Sequence, residues 1–238
     1  MATILFKNTL LVTMNPAREI LHGDLLVRDD RIAGINGENG IATIDRMIDA
    51  SRWAILPGFI QTHIHLCQTL FRNQAEDLPL LDWLRQRLWP FEAAHDAASM
   101  RASARLGIAE LLAGGTTTIL DMGSVRHYEV VFAELERWGL RAAGGKCMID
   151  TGVGVPPGLL EKTADSLQES QQLYETWHGA ANGRLRYAFA PRFSLSCTEP
   201  LLHEVGLRAR DLGCMIHTHA AETAAEEEIL LREKKHRS

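Results

Sequence analysis

The sequence predicts an α/β fold in which parallel strands are joined by crossover helices. From about residue 55, apolar strand-like runs alternate with helical stretches, and the alternation recurs five times. Before it, residues 2–54 read as strands. Apolar residues make up 46% and charged residues 23% of the 238, the balance of a globular chain, which excludes disorder and low complexity as the main reading.

In the first stretch, ATILFKNTLLVTMN is a β-rich run with a turn expected at Lys7-Asn8. GDLLVRDDRIAGI reads as two short strands around a polar turn at Asp29-Asp30. Gly34, Gly37 and Gly40 are spaced as turns, without the strand–turn–helix context of a phosphate loop. The five later strands are expected at 54–66, 116–123, 140–150, 184–191 and 213–222. Between them, DAASMRASARLGIAELLAGG has Asp96 or Ser99 as N-cap and Gly114 as its stop; HYEVVFAELERWGL, PGLLEKTADSLQESQQLYETWHG and EPLLHEVGLRARDLG have similar helical spacing. Residues 67–95, rich in Leu, Trp and acidic side chains, form an excursion of loop and short helices over the strand ends. The tail EEEILLREKKHRS is expected to be a charged, solvated helix, with His236 solvated.

Lys plus Arg is 25 against 30 Asp plus Glu, a formal charge of -5, which argues against non-specific nucleic-acid binding. No apolar run reaches the roughly 18 residues of a membrane span, and MATILFKNTL lacks the pattern of a secretory leader. Cys67, Cys147, Cys197 and Cys214 form no CxxC and are expected as reduced thiols, hence a cytoplasmic location.

The strongest chemical signal is Pro57-Gly58-Phe59-Ile60-Gln61-Thr62-His63-Ile64-His65. Side chains at i and i+2 of a strand share a face, so His63 and His65 present two imidazoles side by side at a strand's C-terminal end. Neutral imidazole is a good zinc ligand. The second signal is His217-Thr218-His219-Ala220-Ala221-Glu222. His219 is preferred as a third ligand for its spacing to Glu222, with His217 as the rival. Glu222 is a candidate proton shuttle; the plainer reading makes it favourable negative charge at a helix start.

PGFIQTHIHL, DLPLLDWL, WPFEAAH, GGTTTILDM, PRFSLSC and HTHAAE occur here in the order of corresponding segments of the amidohydrolase superfamily. The resemblance covers the whole chain. It is to the aminohydrolase branch of guanine deaminases, methylthioadenosine/S-adenosylhomocysteine deaminases and s-triazine hydrolases. It implies a (β/α)8 barrel of TIM type, one Zn²⁺ (with Fe²⁺ as the alternative) on His63, His65 and His219, and Glu222 as proton shuttle. Binuclear members bridge two metals with a lysine on strand four; RLRYAFAPRF has none, which favours the mononuclear branch. The domains expected are 1–54, part of a small β-sandwich, and 55–238, a barrel with about five of its eight strand–helix units.

The substrate side is expected at Gln68, Arg192, Phe193 and Glu92. Gln68, Arg192 and Phe193 resemble the guanine deaminases, where the amide and the Arg pair with the base and the Phe stacks on it. Arg192 departs from the adenosine-type enzymes, which have His there, whereas Glu92 matches their ribose-binding carboxylate. The plain alternatives are a surface salt bridge for Arg192 and core packing for Phe193. The reaction expected is hydrolytic deamination of an aminated purine, guanine first, with 5′-modified adenosines or s-triazines as alternatives. The rival is an inactive, metal-binding fragment, because the family's strand-six His and strand-eight Asp are not in the chain. The partner expected is a small-molecule substrate, with a homodimer left open and no nucleic acid or membrane.

Overall fold

A computed structural model of the protein describes residues 2–37, 43–74 and 77–234. Gly40, His236 and the end of the charged tail lie outside the described residues. The chain divides into two compact units between Gly58 and Phe59.

The first unit is one mixed sheet. Strand β1 (Thr3–Val12) pairs antiparallel with β2 (Ile20–Arg28), which pairs antiparallel with β3 (Arg31–Ile35). On its other side β1 takes β4 (Arg46–Asp49) and β5 (Ala54–Ile55), both parallel. Lys7-Asn8 is a bulge inside β1 rather than a turn: the register shifts between Phe6 and Thr9, with Asn8 left-handed at φ 60. The Asp29-Asp30 turn stands where expected, Asp29 supplying the positive φ of 53. Leu5, Leu11, Leu25 and Leu26 are buried on this sheet. The second layer of a sandwich is not among the described residues.

The second unit carries the parallel sheet. Its order is β11-β10-β8-β7-β6, every pairing parallel, with β6 Phe59–Ile64, β7 Thr116–Met122, β8 Arg141–Gly145, β10 Leu185–Pro191 and β11 Met215–Ile216. The two-residue β9 (Cys147–Met148) also pairs with β10, so the third expected strand is interrupted at Lys146. The expected first strand, 54–66, is divided: Ala54–Ile55 belong to the first sheet as β5, and the parallel strand starts only at Phe59. The expected fifth strand, 213–222, is reduced to Met215–Ile216, so the His217–Glu222 segment runs past the strand end.

Helices sit between the strands as the alternation predicts. After a 3-10 turn at Leu66–Phe71, the excursion forms α1 (Leu80–Trp83), a π turn at Leu84–Leu88 and α2 (Trp89–Ala93). Then come α3 (Ala97–Ala113), α4 (Tyr128–Trp138), α5 (Thr163–Trp177), the single turn α6 (Ala180–Gly183), α7 (Glu199–Leu212) and α8 (Ala224–Glu233). Both N-cap candidates of α3 act together: Asp96 caps, accepting from the Ser99 N–H, and Ser99 returns its side chain to the Asp96 backbone. Helices α3, α4, α5 and α7 pack Ile108, Phe132, Leu135, Leu173, Leu201 and Val205 against Ile119, Ala142, Tyr187 and Phe189 of the strands. A second cluster joins the excursion, through Leu84, Leu88 and Trp89, to Met122, Cys147, Ile149 and Phe193 at the strand ends. Trp138 is exposed, its indole N–H held by Glu134. Among the described residues nothing pairs with the outer edge of β6 or β11, and Phe59, Ile60, Met215 and Ile216 are exposed there. No described helix is long and apolar enough to cross a membrane. All four cysteines are free thiols.

Candidate metal centre and active site

The site forms at the C-terminal ends of the parallel strands. His63 lies in β6, and His65 follows it in extended backbone at the start of the 3-10 turn. His219 arrives differently. Beyond β11 the chain stays beside β10: the His217 N–H donates to the Phe189 carbonyl and the His219 N–H to the Arg192 carbonyl. His219 is therefore placed by the end of β10 as much as by β11.

Ligand atoms of His63, His65 and His219 lie within 4.8 Å of one another. The donor chemistry fits a cation. His65 Nδ1 is 2.8 Å from the Met122 carbonyl and His219 Nδ1 is 2.8 Å from the Arg192 carbonyl. A carbonyl only accepts, so both rings carry their proton on Nδ1 and present a lone pair at Nε2. Those two Nε2 atoms face each other at 3.3 Å. Two lone pairs at that distance repel unless a positive charge sits between them. Carbonyl-bonded Nδ1–H groups are also the usual outer support of metal-binding imidazoles. Burial, reinforced by the Arg192 charge and the neighbouring imidazoles, holds His65 well below its ordinary pKa. Burial also lowers His219. Both shifts favour the neutral ring that metal binding requires.

The rival ligand, His217, is also in the cluster. Its Nε2 lies 2.8 Å from His63 Nδ1, and it is buried. Burial first, then His63 and His219, bring its pKa down to about 4.

Glu222 stands three residues past His219. Ala221 between them is left-handed at φ 52, a conformation that costs a non-glycine residue roughly 1 kcal/mol. The turn gives the Glu222 N–H to Glu226 Oε2 at 2.9 Å, while Thr223 caps α8 through the Glu226 N–H. Glu222 is thereby exposed at the helix start and lines a cavity of about 190 Å³ together with His63, His65 and His219. The other walls are Gln68, Leu80, Trp83, Leu84, Arg192 and Phe193. A larger groove of about 1110 Å³ along β6 and α3 meets this cavity at His65, Gln68 and Trp83.

The four expected substrate-side residues come together, in an arrangement the sequence did not suggest. Glu92 is fully buried and accepts from Gln68 Nε2 at 2.8 Å and from Arg192 at 2.9 and 3.2 Å. Burial opposes the Arg192 charge, but the Glu92 carboxylate beside it keeps the guanidinium above its ordinary pKa. The plain alternative for Arg192, a salt bridge, is present, and it is buried rather than on the surface. Phe193 is both core and wall. His95 bonds the Cys67 carbonyl and Ser99 and so ties the excursion to α3.

Asp121, at the end of β7, is a further residue that positions the site. Its buried carboxylate accepts from the Leu66 N–H at 2.8 Å and the Tyr128 hydroxyl at 2.9 Å, fixing the chain just after His65. A Cβ at Gly144 would collide with the Tyr128 hydroxyl and the Asp121 carbonyl, so that position needs glycine. The only signal for Asp121 was an acid closing an apolar run. Burial raises its pKa to about 6. The native state therefore binds a proton that the unfolded chain, at 3.8, does not, and stability from this group rises as pH falls from about 6 towards 4. Asp121→Asn keeps the shape and removes the charge. Urea unfolding is expected to show the variant about 3 kcal/mol more stable at pH 7.5, with the difference shrinking as pH falls and gone below about pH 4.

Comparison with known proteins agrees with this geometry. Residues 54–238 match the profile of the Amidohydrolase family. A 5′-deoxyadenosine deaminase of Methanobrevibacter smithii is 37% identical over 94% of this chain and 49% of its own length. A 5-methylthioadenosine/S-adenosylhomocysteine deaminase of Carboxydothermus hydrogenoformans is 35% identical over 96% of this chain and 51% of its own. Among solved structures, E. coli guanine deaminase superposes with a TM-score of 0.83 at 28% identity, covering 98% of this chain and 56% of that one. The chain spans about half the length of the curated relatives it matches.

Proposed function

Because the chain belongs to the amidohydrolase family, we propose that it carries the metal centre and proton shuttle of a hydrolytic deaminase acting on a 5′-modified adenosine. The carrying observation is one cavity that joins three convergent imidazoles to Glu222, in a chain 37% identical to a 5′-deoxyadenosine deaminase. Guanine, the substrate expected first, is displaced by that similarity, which reaches 37% and 35% for enzymes of modified adenosines against 28% for the guanine deaminase.

His63, His65 and His219 would hold the cation, zinc or iron, since imidazole suits both. When bound, such a cation supplies Lewis acidity that brings water's pKa towards neutrality. Glu222 takes a proton from the attacking water and delivers it to the ring nitrogen beside the amine-bearing carbon, and water's second proton passes to the departing amine. Water's oxygen replaces the amine, which leaves as ammonia. Trp83, Leu84 and Phe193 give the purine an apolar wall, and Gln68 offers the base an amide at its edge. Four unpaired thiols support a cytoplasmic location.

The test is ammonia release by the zinc-loaded protein from 5′-deoxyadenosine, methylthioadenosine, S-adenosylhomocysteine, guanine and a chloro-triazine. Turnover of the modified adenosines is expected. Turnover of guanine alone would overturn the substrate, and no ammonia from any of them would overturn the activity.

A further inference from the structure

We propose that His217 is a positioning residue for His63, accepting the His63 Nδ1–H at its own Nε2 and so directing His63 Nε2 towards the other two imidazoles. The inference rests on the metal-site reading above and gives a role to the one imidazole of the cluster that reading leaves unused.

The three proposed ligands show a common pattern with one exception. His65 and His219 each place Nδ1 2.8 Å from a main-chain carbonyl. His63 also has an Nδ1 partner at 2.8 Å, but it is the side chain of His217. A carbonyl can only accept, so the proton positions on His65 and His219 are dictated by the backbone. On His63 the position depends on which way the His63–His217 bond runs. If His217 donates, the His63 proton is forced onto Nε2 and that ring is lost as an Nε2 ligand. If His217 accepts, all three rings take the same tautomer and three Nε2 lone pairs remain. The second arrangement matches the other two rings, and an Nδ1–H bonded to a fixed acceptor is how outer partners orient a metal-binding imidazole.

His217 is held for this task. It is buried, and its backbone N–H is bonded to the Phe189 carbonyl of β10 at 2.8 Å. Its ring meets that of His63 edge-on, with centroids 4.9 Å apart. As a direct ligand through Nε2 it would have to give up its 2.8 Å contact with His63 Nδ1. The HxH of HTHAAE then divides its labour: the second histidine binds, and the first aims a ligand on the opposite edge of the sheet.

The test compares His217→Gln with His217→Phe. The Gln side chain can still accept through Oε1; Phe fills the space and cannot. Co²⁺ replaces zinc, affinity is read by chelator competition, and the visible bands report ligand number and geometry. His217→Gln is expected to bind Co²⁺ within about threefold of the parent and His217→Phe roughly 10–100-fold more weakly, both with parent-like bands. Equal affinity of His217→Phe and parent would overturn the proposal. Equal loss in both variants, with altered bands, would make His217 a ligand and overturn it too. A parent chain that binds no Co²⁺ would overturn the metal reading itself, a result distinct from either. A measurement on the parent alone guards against a misfolded variant. Two-bond nitrogen–proton NMR of the metal-free protein is expected to find His63 protonated at Nδ1, and protonation at Nε2 would overturn the proposal.

Discussion

Replacing His219 by Ala is expected to weaken zinc binding by roughly a hundredfold or more, beyond the 10–100-fold that losing an outer partner costs. The substitution removes one of three proposed donors, while His65 remains aimed through its bond to the Met122 carbonyl. The metal-free protein should respond differently. The Nε2 atoms of His65 and His219 face each other at 3.3 Å, and without a cation that arrangement is repulsive. Truncating His219 relieves the repulsion, so the metal-free variant should unfold at a urea midpoint no lower than the parent's, apart from packing lost at a half-buried side chain. Zinc should then separate the two proteins. A ligand that binds only the native state stabilises it by about 2.7 kcal/mol at a hundred times its Kd. At a zinc concentration giving the parent that increment, the variant should gain less than about 0.5 kcal/mol. Urea unfolding with and without chelator measures all four states. An equal zinc increment in both proteins would remove His219 from the ligand set.

The site was legible in the sequence where local geometry decides it. His63 and His65 share a side because strand backbone alternates, and that follows from spacing alone. The five parallel strands were readable for the same reason, as apolar runs separated by helical ones. What could not be read was set by distant partners. The His217–Glu222 segment was expected as strand, yet it leaves the sheet after Ile216 and is held by carbonyls of Phe189 and Arg192. No periodicity in residues 213–222 encodes bonds to residues 27 and 28 positions earlier. The left-handed turn at Ala221 was equally hidden, because alanine carries no signal for positive φ. The N-terminal boundary slipped for a related reason: Ala54–Ile55 are apolar and run on into Phe59, but their pairing partner is β1. Glu92 and Arg192, a hundred positions apart, could be proposed one at a time as substrate contacts, while their bond to each other could not.

That bond leads to the largest stability effect expected. Glu92→Leu leaves the Arg192 guanidinium buried without its counter-charge and strips Gln68 of its acceptor. Breaking one side of a buried ion pair costs about 3–5 kcal/mol, a large fraction of the 5–15 kcal/mol that typically holds a domain together. Arg192→Met alone should cost a similar amount, because it strands the Glu92 carboxylate. The paired change Glu92→Leu with Arg192→Met removes both charges and fills the space with apolar groups. Replacements of that kind are often neutral, so the double variant should recover most of the loss, and the single costs should fail to add by about 3 kcal/mol or more. Denaturant unfolding of the four proteins completes the cycle. The same set separates structure from recognition. If the pair only holds α2 to the end of β10, the double variant should keep the parent's KM for a modified adenosine once it is folded. If Arg192 also reaches into the cavity it lines, the double variant should fold like the parent yet bind substrate more weakly, with kcat the less affected. Additive single costs would mean that the two charges do not depend on each other, against the buried geometry in which they meet.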